Sequence, residues 1–320
     1  MRQRSLKQKR SRRVIASLIW TLLALVLACV ILVVATSLIM ADRLLKAPSD
    51  PIPAYATNVL PPFASVRFES SDHVTLAGWY IRAQQEVARG TVITVHQQGA
   101  NRLPFGLAST TLIRTLSKAG FHVLAFDLRH AGESGGELSS FGYNEADDVA
   151  AAIQFAAGRA PSSPIILYGL GTGTTAIFRA LNDDPTLLRQ HVAGLMLDTP
   201  ARSSDAFVAA HADERSSWMF WLPKTTPTAV RISGGHREAM DFFSSVTTMT
   251  VPMLWIGHAR DARLAPRDVA PMLHERLRLH PDLTQTFLLP GEGHLDAYET
   301  APDAYIDAVM TFLDARFPSE

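Results

Sequence analysis

Cysteine is almost missing from this chain: Cys29 is the one example in 320 residues. That excludes an intrachain disulfide, a cysteine zinc site, and a thiol nucleophile beyond the N-terminal region. Formal charge is missing from Val14 to Ala41, a run of 28 residues, and acidic residues are missing from residues 1–13. No H-E-x-x-H pattern or carboxylate cluster occurs, so no metal site and no cofactor are expected. Repeats and low-complexity tracts are absent from the part beyond the apolar run. A hydrophobic content of 47% with 19% charged residues excludes a disordered chain and suits one large core.

The charge that is present is unevenly placed. Residues 1–13 hold seven basic side chains (Arg2, Arg4, Lys7, Lys9, Arg10, Arg12 and Arg13), while the whole chain has 30 basic and 30 acidic residues. The remainder is therefore net acidic. A basic tail beside an apolar run points to a membrane and not to nucleic acid. A helix needs roughly 20 apolar residues to cross the hydrocarbon core, so residues 14–41 are long enough to span with some tilt. The basic tail, 1–13, should stay cytoplasmic and the rest lie beyond the membrane. A cleaved signal peptide has a shorter apolar region of about 7–15 residues. Val26-Leu27-Ala28-Cys29 loosely resembles a lipoprotein cleavage box, but Val30 to Ala41 is still apolar.

Residues 42–62 contain five prolines and read as a linker. From 63 to 320 strand and helix signals alternate. Ala64–Glu69 and Val74–Ile81 look like a hairpin, followed by strands at Thr91–His96, Phe121–Asp127, Pro164–Tyr168, Val192–Asp198, Val251–Gly257 and Leu283–Leu289. Helices are expected over Pro104–Ala119, Asn144–Gly158, Gly173–Leu181, Arg267–Arg278 and Pro302–Phe317. The pattern predicts a mostly parallel sheet with helices on both faces. Residues 201–250 break the rhythm and form either a small cap or a packed connection.

The stretch Ile165-Ile166-Leu167-Tyr168-Gly169-Leu170-Gly171-Thr172-Gly173 reads as a buried strand entering a sharp strand–turn–helix corner. Two histidine- and aspartate-bearing turns follow: Leu254-Trp255-Ile256-Gly257-His258-Ala259-Arg260-Asp261, and Leu289-Pro290-Gly291-Glu292-Gly293-His294. Upstream stand Val95-His96-Gln97-Gln98-Gly99 and Asp127-Leu128-Arg129-His130-Ala131-Gly132-Glu133-Ser134. In this order the segments resemble the α/β-hydrolase superfamily over residues 64–317, particularly its small-capped, membrane-anchored serine hydrolases and esterases. The resemblance implies an eight-stranded α/β-hydrolase fold and a Ser–Asp–His site. Its elbow carries G-x-S-x-G. Here Gly169 and Gly173 match the flanking glycines, and Gly171 takes the serine position. The resemblance further implies Asp261 as the acid and His294 as the base. Backbone N–H groups of Thr172 and Gln98 would form the oxyanion hole. Gln97, His130, Ala131 and His258 replace residues usual in the family.

Gly132-Glu133-Ser134-Gly135-Gly136 also fits G-x-S-x-G, but it lacks an adjoining strand and helix, so Ser134 is expected to cap a loop. The hydroxyls of Thr172, Thr174 and Thr175 sit on the wrong turn to replace a serine. Gly169–Gly173 lacks the Lys-Ser/Thr ending of a phosphate-binding loop. Three readings follow. The protein is a tethered pseudoenzyme with a small-molecule or lipid ligand; or a hydrolase that uses another nucleophile or water activated by His294 and Asp261; or a structural module with an empty cleft. Substrate and oligomeric state are not legible.

Overall fold

The computed structural model describes the backbone of residues 2–216 and 218–319, with side chains from residue 13 onward. The basic side chains of residues 2–12 lie outside the described residues. Helix α1 (Arg2–Leu45) contains the apolar run. It continues four residues into the stretch expected to be linker. The reason is packing: Met40, Ala41, Leu44 and Leu45 are buried against the domain. One short helix, α2 (Ala56–Val59), interrupts the connection to the sheet.

The first hairpin pairs β1 (Phe63–Glu69) with β2 (Thr75–Ile81), and β3 (Gly90–Val95) follows. Helix α3 (Ser109–Lys118) starts later than its apolar spacing suggests. Gly106, at φ 56°, opens a preceding 3-10 turn, and that left-handed backbone cannot belong to an α-helix. Then come β4 (Phe121–Phe126), α4 (Glu145–Arg159), β5 (Ile165–Leu170) and α5 (Thr172–Asp183). Helix α6 (Pro185–Gln190), not anticipated from periodicity, is short; Asp184 caps it by accepting from Thr186 N–H at 2.9 Å. After β6 (Val192–Asp198) the segment expected to be irregular forms α7 (Ser204–Arg215), α8 (Leu222–Ser233) and α9 (Phe243–Thr248). The chain closes with β7 (Met253–Asp261), α10 (Pro266–Leu279), β8 (Thr284–Gly293), α11 (Ala297–Thr300) and α12 (Pro302–Arg316).

The strands form one eight-stranded sheet in the order β1-β2-β4-β3-β5-β6-β7-β8. Only β1–β2 and β2–β4 are antiparallel; the rest run parallel. Strand alternation divides the core into two layers. Ile165 and Leu167 pack with Val149 and Ile153 of α4 and Ile177 of α5. Ile166, Tyr168 and Leu170 pack on the other face with Leu112 and Leu116 of α3 and Val309 and Phe312 of α12. A third apolar cluster joins the end of α1 to α7 and α8, through Leu44, Phe207, Val208, Leu222 and Val230. The apolar helix is thus part of the cap's core.

Candidate active site

Parallel strands gather their C-terminal ends on one edge, where α/β proteins place ligands. The corner between β5 and α5 lies there. Gly171 adopts φ 50°, ψ −119°, a left-handed conformation that L side chains rarely take. Gly173 answers to a close approach: a Cβ at this position would lie 2.2 Å from Val95 O and 2.8 Å from His96 O. The glycine brings the start of α5 against the end of β3. A Cβ on Gly171 would lie 2.9 Å from Leu295 Cδ1 and 3.1 Å from Gln97 Cβ. Leu295 itself has φ 59°.

Strands β7 and β8 run further than expected, through an irregularity between His258 and Arg260, and pair Asp261 with Gly293. That register brings the carboxylate beside the next residue of the neighbouring strand. His294 Nδ1 lies 2.9 Å from Asp261 Oδ2 and 3.0 Å from Oδ1. The N–H groups of Arg263 and Leu264 donate to Asp261 Oδ1 at 2.8 and 2.6 Å. Burial pushes the Asp261 carboxyl up, but the bonds from His294 and these two N–H groups outweigh it and hold it below the usual carboxylate range. An ionised Asp261 assigns the proton to His294 Nδ1 and leaves Nε2 as the free ring nitrogen.

The upstream loop is positioned by a buried ion pair. Asp127 accepts from Arg102 N–H at 2.7 Å, from the Arg102 guanidinium at 2.5 and 3.1 Å, and from Glu133 N–H at 2.8 Å. Neither side chain is more than 1% exposed. The Arg102 guanidinium also stacks over Trp79 at 4.7 Å. Behind the loop, Gln98 N–H donates to Thr172 Oγ1 at 2.6 Å, and Gln98 Nε2 donates to Leu44 O at the end of α1 at 3.2 Å. Thr174 Oγ1 donates to Gly171 O, and Thr175 Oγ1 to Phe141 O and Thr172 O. Both hydroxyls are occupied by backbone. His130, where the family pattern has glycine, takes φ 59°. His258 packs against Asp296, its Nε2 2.8 Å from Oδ1 but out of line for a hydrogen bond. Ser134 caps a loop as expected, donating to Asp127 O at 2.6 Å and accepting from Ala77 N–H at 2.9 Å.

The structure brings Thr172, Gln98, His294 and Leu295 to one cavity of about 230 Å³. Two further lining residues come from the cap and carry no sequence signal, Phe207 and His211 on α7. His211 Nδ1 lies 2.9 Å from Phe207 O, and its ring stands edge-on to Phe141. Burial pushes the His211 pKa down, so the ring is neutral near pH 7. The Gln97 Oε1 acceptor is buried without a protein partner. Among the described residues, no group of three or more His, Cys, Asp or Glu side chains is arranged to hold a metal ion.

Residues 88–248 match the family model described as serine aminopeptidase, S33. The chain belongs to this family of α/β hydrolases. The match contains the β5–α5 corner and ends before Asp261 and His294. Two relatives extend the likeness. An uncharacterised protein of Mycobacterium tuberculosis strain H37Rv is 28% identical over 301 residues, 91% of this chain and 95% of that protein. The uncharacterised protein YfhR of Escherichia coli K12 is 24% identical over 255 residues, 78% of this chain and 80% of its own. Among solved structures, the Pyrococcus furiosus esterase Pf2001 aligns with a TM-score of 0.66 at 20% identity, covering 86% of this chain and 98% of the esterase. Esterase RhEst1 from Rhodococcus aligns at 0.55 and 18% identity over 79% of this chain and 99% of its own. At these identities the structural likeness concerns the fold.

Proposed function

We propose that this member of the family is a membrane-anchored pseudoenzyme that binds a small-molecule or lipid ligand in the inherited cleft. In this reading Gly171 stands at the nucleophile position, with Asp261 and His294 as the former acid and base and the N–H groups of Thr172 and Gln98 at the oxyanion hole. Acyl transfer needs a hydroxyl or thiol at that corner, because the covalent intermediate forms on it. Removing the nucleophile from a serine triad lowers turnover by about 10⁶.

The observation that carries the reading is Gly171 itself: no side chain stands at this position of the β5–α5 corner, and the neighbouring Thr174 and Thr175 hydroxyls are taken up by backbone carbonyls. The Gln98 N–H, already bound to Thr172 Oγ1, supports it. Gln97 Oε1 offers an acceptor to a ligand that carries a donor. The basic tail and the exposed apolar surface of α1 support a single-pass anchor, with the tail cytoplasmic and the folded domain on the far side.

The intact His294–Asp261 pair favours a second reading, hydrolysis of an ester, amide or lipid by water activated at His294. The full chain in membranes distinguishes the two. Under the first, a fluorophosphonate probe leaves no label and ester turnover matches that of His294→Ala. Stoichiometric labelling, or ester turnover abolished by His294→Ala, would overturn it.

A further inference from the structure

The loop entering α8 carries Trp218, Met219, Phe220 and Trp221. Trp218 is 76% exposed and Phe220 75% exposed. Both rings stand against Trp221, Trp218 at 6.5 Å and Phe220 at 5.3 Å between centroids. This aromatic cluster is fastened to α1 by side chains. Trp221 Nε1–H donates to Thr36 Oγ1 at 3.2 Å, and one turn along α8 the Thr225 and Ser37 hydroxyls meet at 2.6 Å. Leu38 and Ile39, the next residues of α1, are exposed. Exposed apolar residues of α1 and of the cap thus lie on either side of this junction.

The height of this junction follows from helix geometry. At 1.5 Å per residue, Val14 to Thr36 spans ~33 Å. A hydrocarbon core is about 30 Å thick. With the basic tail at one surface, Thr36 comes out at the other. Tryptophan and phenylalanine rings held at that level meet the layer where amphipathic rings are most stable, between headgroups and acyl chains. Lys224, exposed at the start of α8, suits the adjoining headgroups. From Thr36 to Leu44, whose carbonyl accepts from Gln98, is a further ~12 Å of helix.

We infer that the Trp218–Trp221 segment of the cap is a membrane-docking element, seated in the interfacial layer of the same bilayer that α1 crosses. The inference rests on the reading of α1 as a membrane span. Docking gives the domain a second point of attachment and holds the cleft about 12 Å above the interface, by the same helical rise. Rotation of the domain about α1 is then restricted.

Tryptophan quenching tests this with the full chain in phosphatidylcholine–phosphatidylglycerol vesicles that contain doxyl-labelled phosphatidylcholine. The chain has five tryptophans. Trp79 and Trp255 are buried in the core and stay dark to the quencher. Trp20 lies on the exposed part of α1 and reports the anchor. In a Trp20→Phe variant the remaining emission should be quenched by shallow 5-doxyl lipid. That quenching should be lost when Trp218→Phe and Trp221→Phe are added. If the Trp218→Phe/Trp221→Phe protein is quenched through Trp20 while Trp20→Phe is not, docking is overturned and the anchor stands. Quenching in neither variant overturns the anchor reading and docking with it.

Discussion

Leu295 lies over Gly171: its Cδ1 would stand 2.9 Å from a Cβ built on that glycine. The two residues come from segments far apart in sequence, the β5–α5 corner and the loop after β8. Both have left-handed backbones, at φ 50° and 59°. In the proposed reading, a side chain introduced at Gly171 meets both its own left-handed backbone and the end of the Leu295 side chain.

Gly171→Ser alone should lower stability by about 1–3 kcal/mol, the cost of a side chain on a left-handed backbone, and, with the end of Leu295 beside the new hydroxyl, gain no fluorophosphonate label. Gly171→Ser/Leu295→Ala opens the space beside His294 and should gain slow labelling. Adding Thr172→Ala frees the Gln98 N–H for an oxyanion and should raise the labelling rate further. In-gel fluorescence of the probe over time checks the series. Labelling by Gly171→Ser equal to that of the double variant would show that Leu295 is no obstacle.

Arg102→Ala should destabilise the domain by about 3–5 kcal/mol, because the fully buried Asp127 carboxyl would lose its guanidinium partner. The loops carrying Gln98 and Glu133 both hang on that carboxylate. Urea unfolding followed by circular dichroism in detergent measures the loss. A change below ~1 kcal/mol would show that the pair contributes little.

Asp72 gives a pH signature. The hydrogen bond from Arg129 is the largest influence on it, outweighs burial, and holds the Asp72 carboxyl at about 2. An aspartate in an unfolded chain titrates near ~3.9. A carboxyl with a depressed folded pKa stabilises the fold fully above the unfolded value and loses that contribution as pH falls through the folded one. The Tm gap between wild type and Asp72→Asn should thus be constant from pH 7 to about 5 and shrink between about 4 and 2. A gap independent of pH would remove the ionic explanation.

The chain's pattern and its tertiary arrangement determine different things here. Local spacing is enough for the sheet and for α1, α3, α4, α5, α10 and α12, but not for the short helices α2, α6, α9 and α11 or for α7 and α8. Buried β-branched runs fix strands wherever both faces are covered, and the flanking Gly169 and Gly173 mark the corner before α5. Spacing alone does not assign roles to Gly171, Thr172, Gln98, Asp261 and His294; the resemblance to the α/β hydrolases is what points to them. Periodicity did not reveal where α1 ends, since whether residues 42–45 continue the helix depends on the cap that packs against them. It did not reveal His211 and Phe207 as cleft residues either, because α7 reaches the cleft only through the third apolar cluster. Leu295 is the clearest case. In one dimension it is a plain apolar residue after His294. Its role comes from the β7–β8 register, which sets His294 on Asp261 and swings the next side chain over Gly171. Residue types determine which side chains each turn carries; only the packing of distant strand ends decides which of them meet.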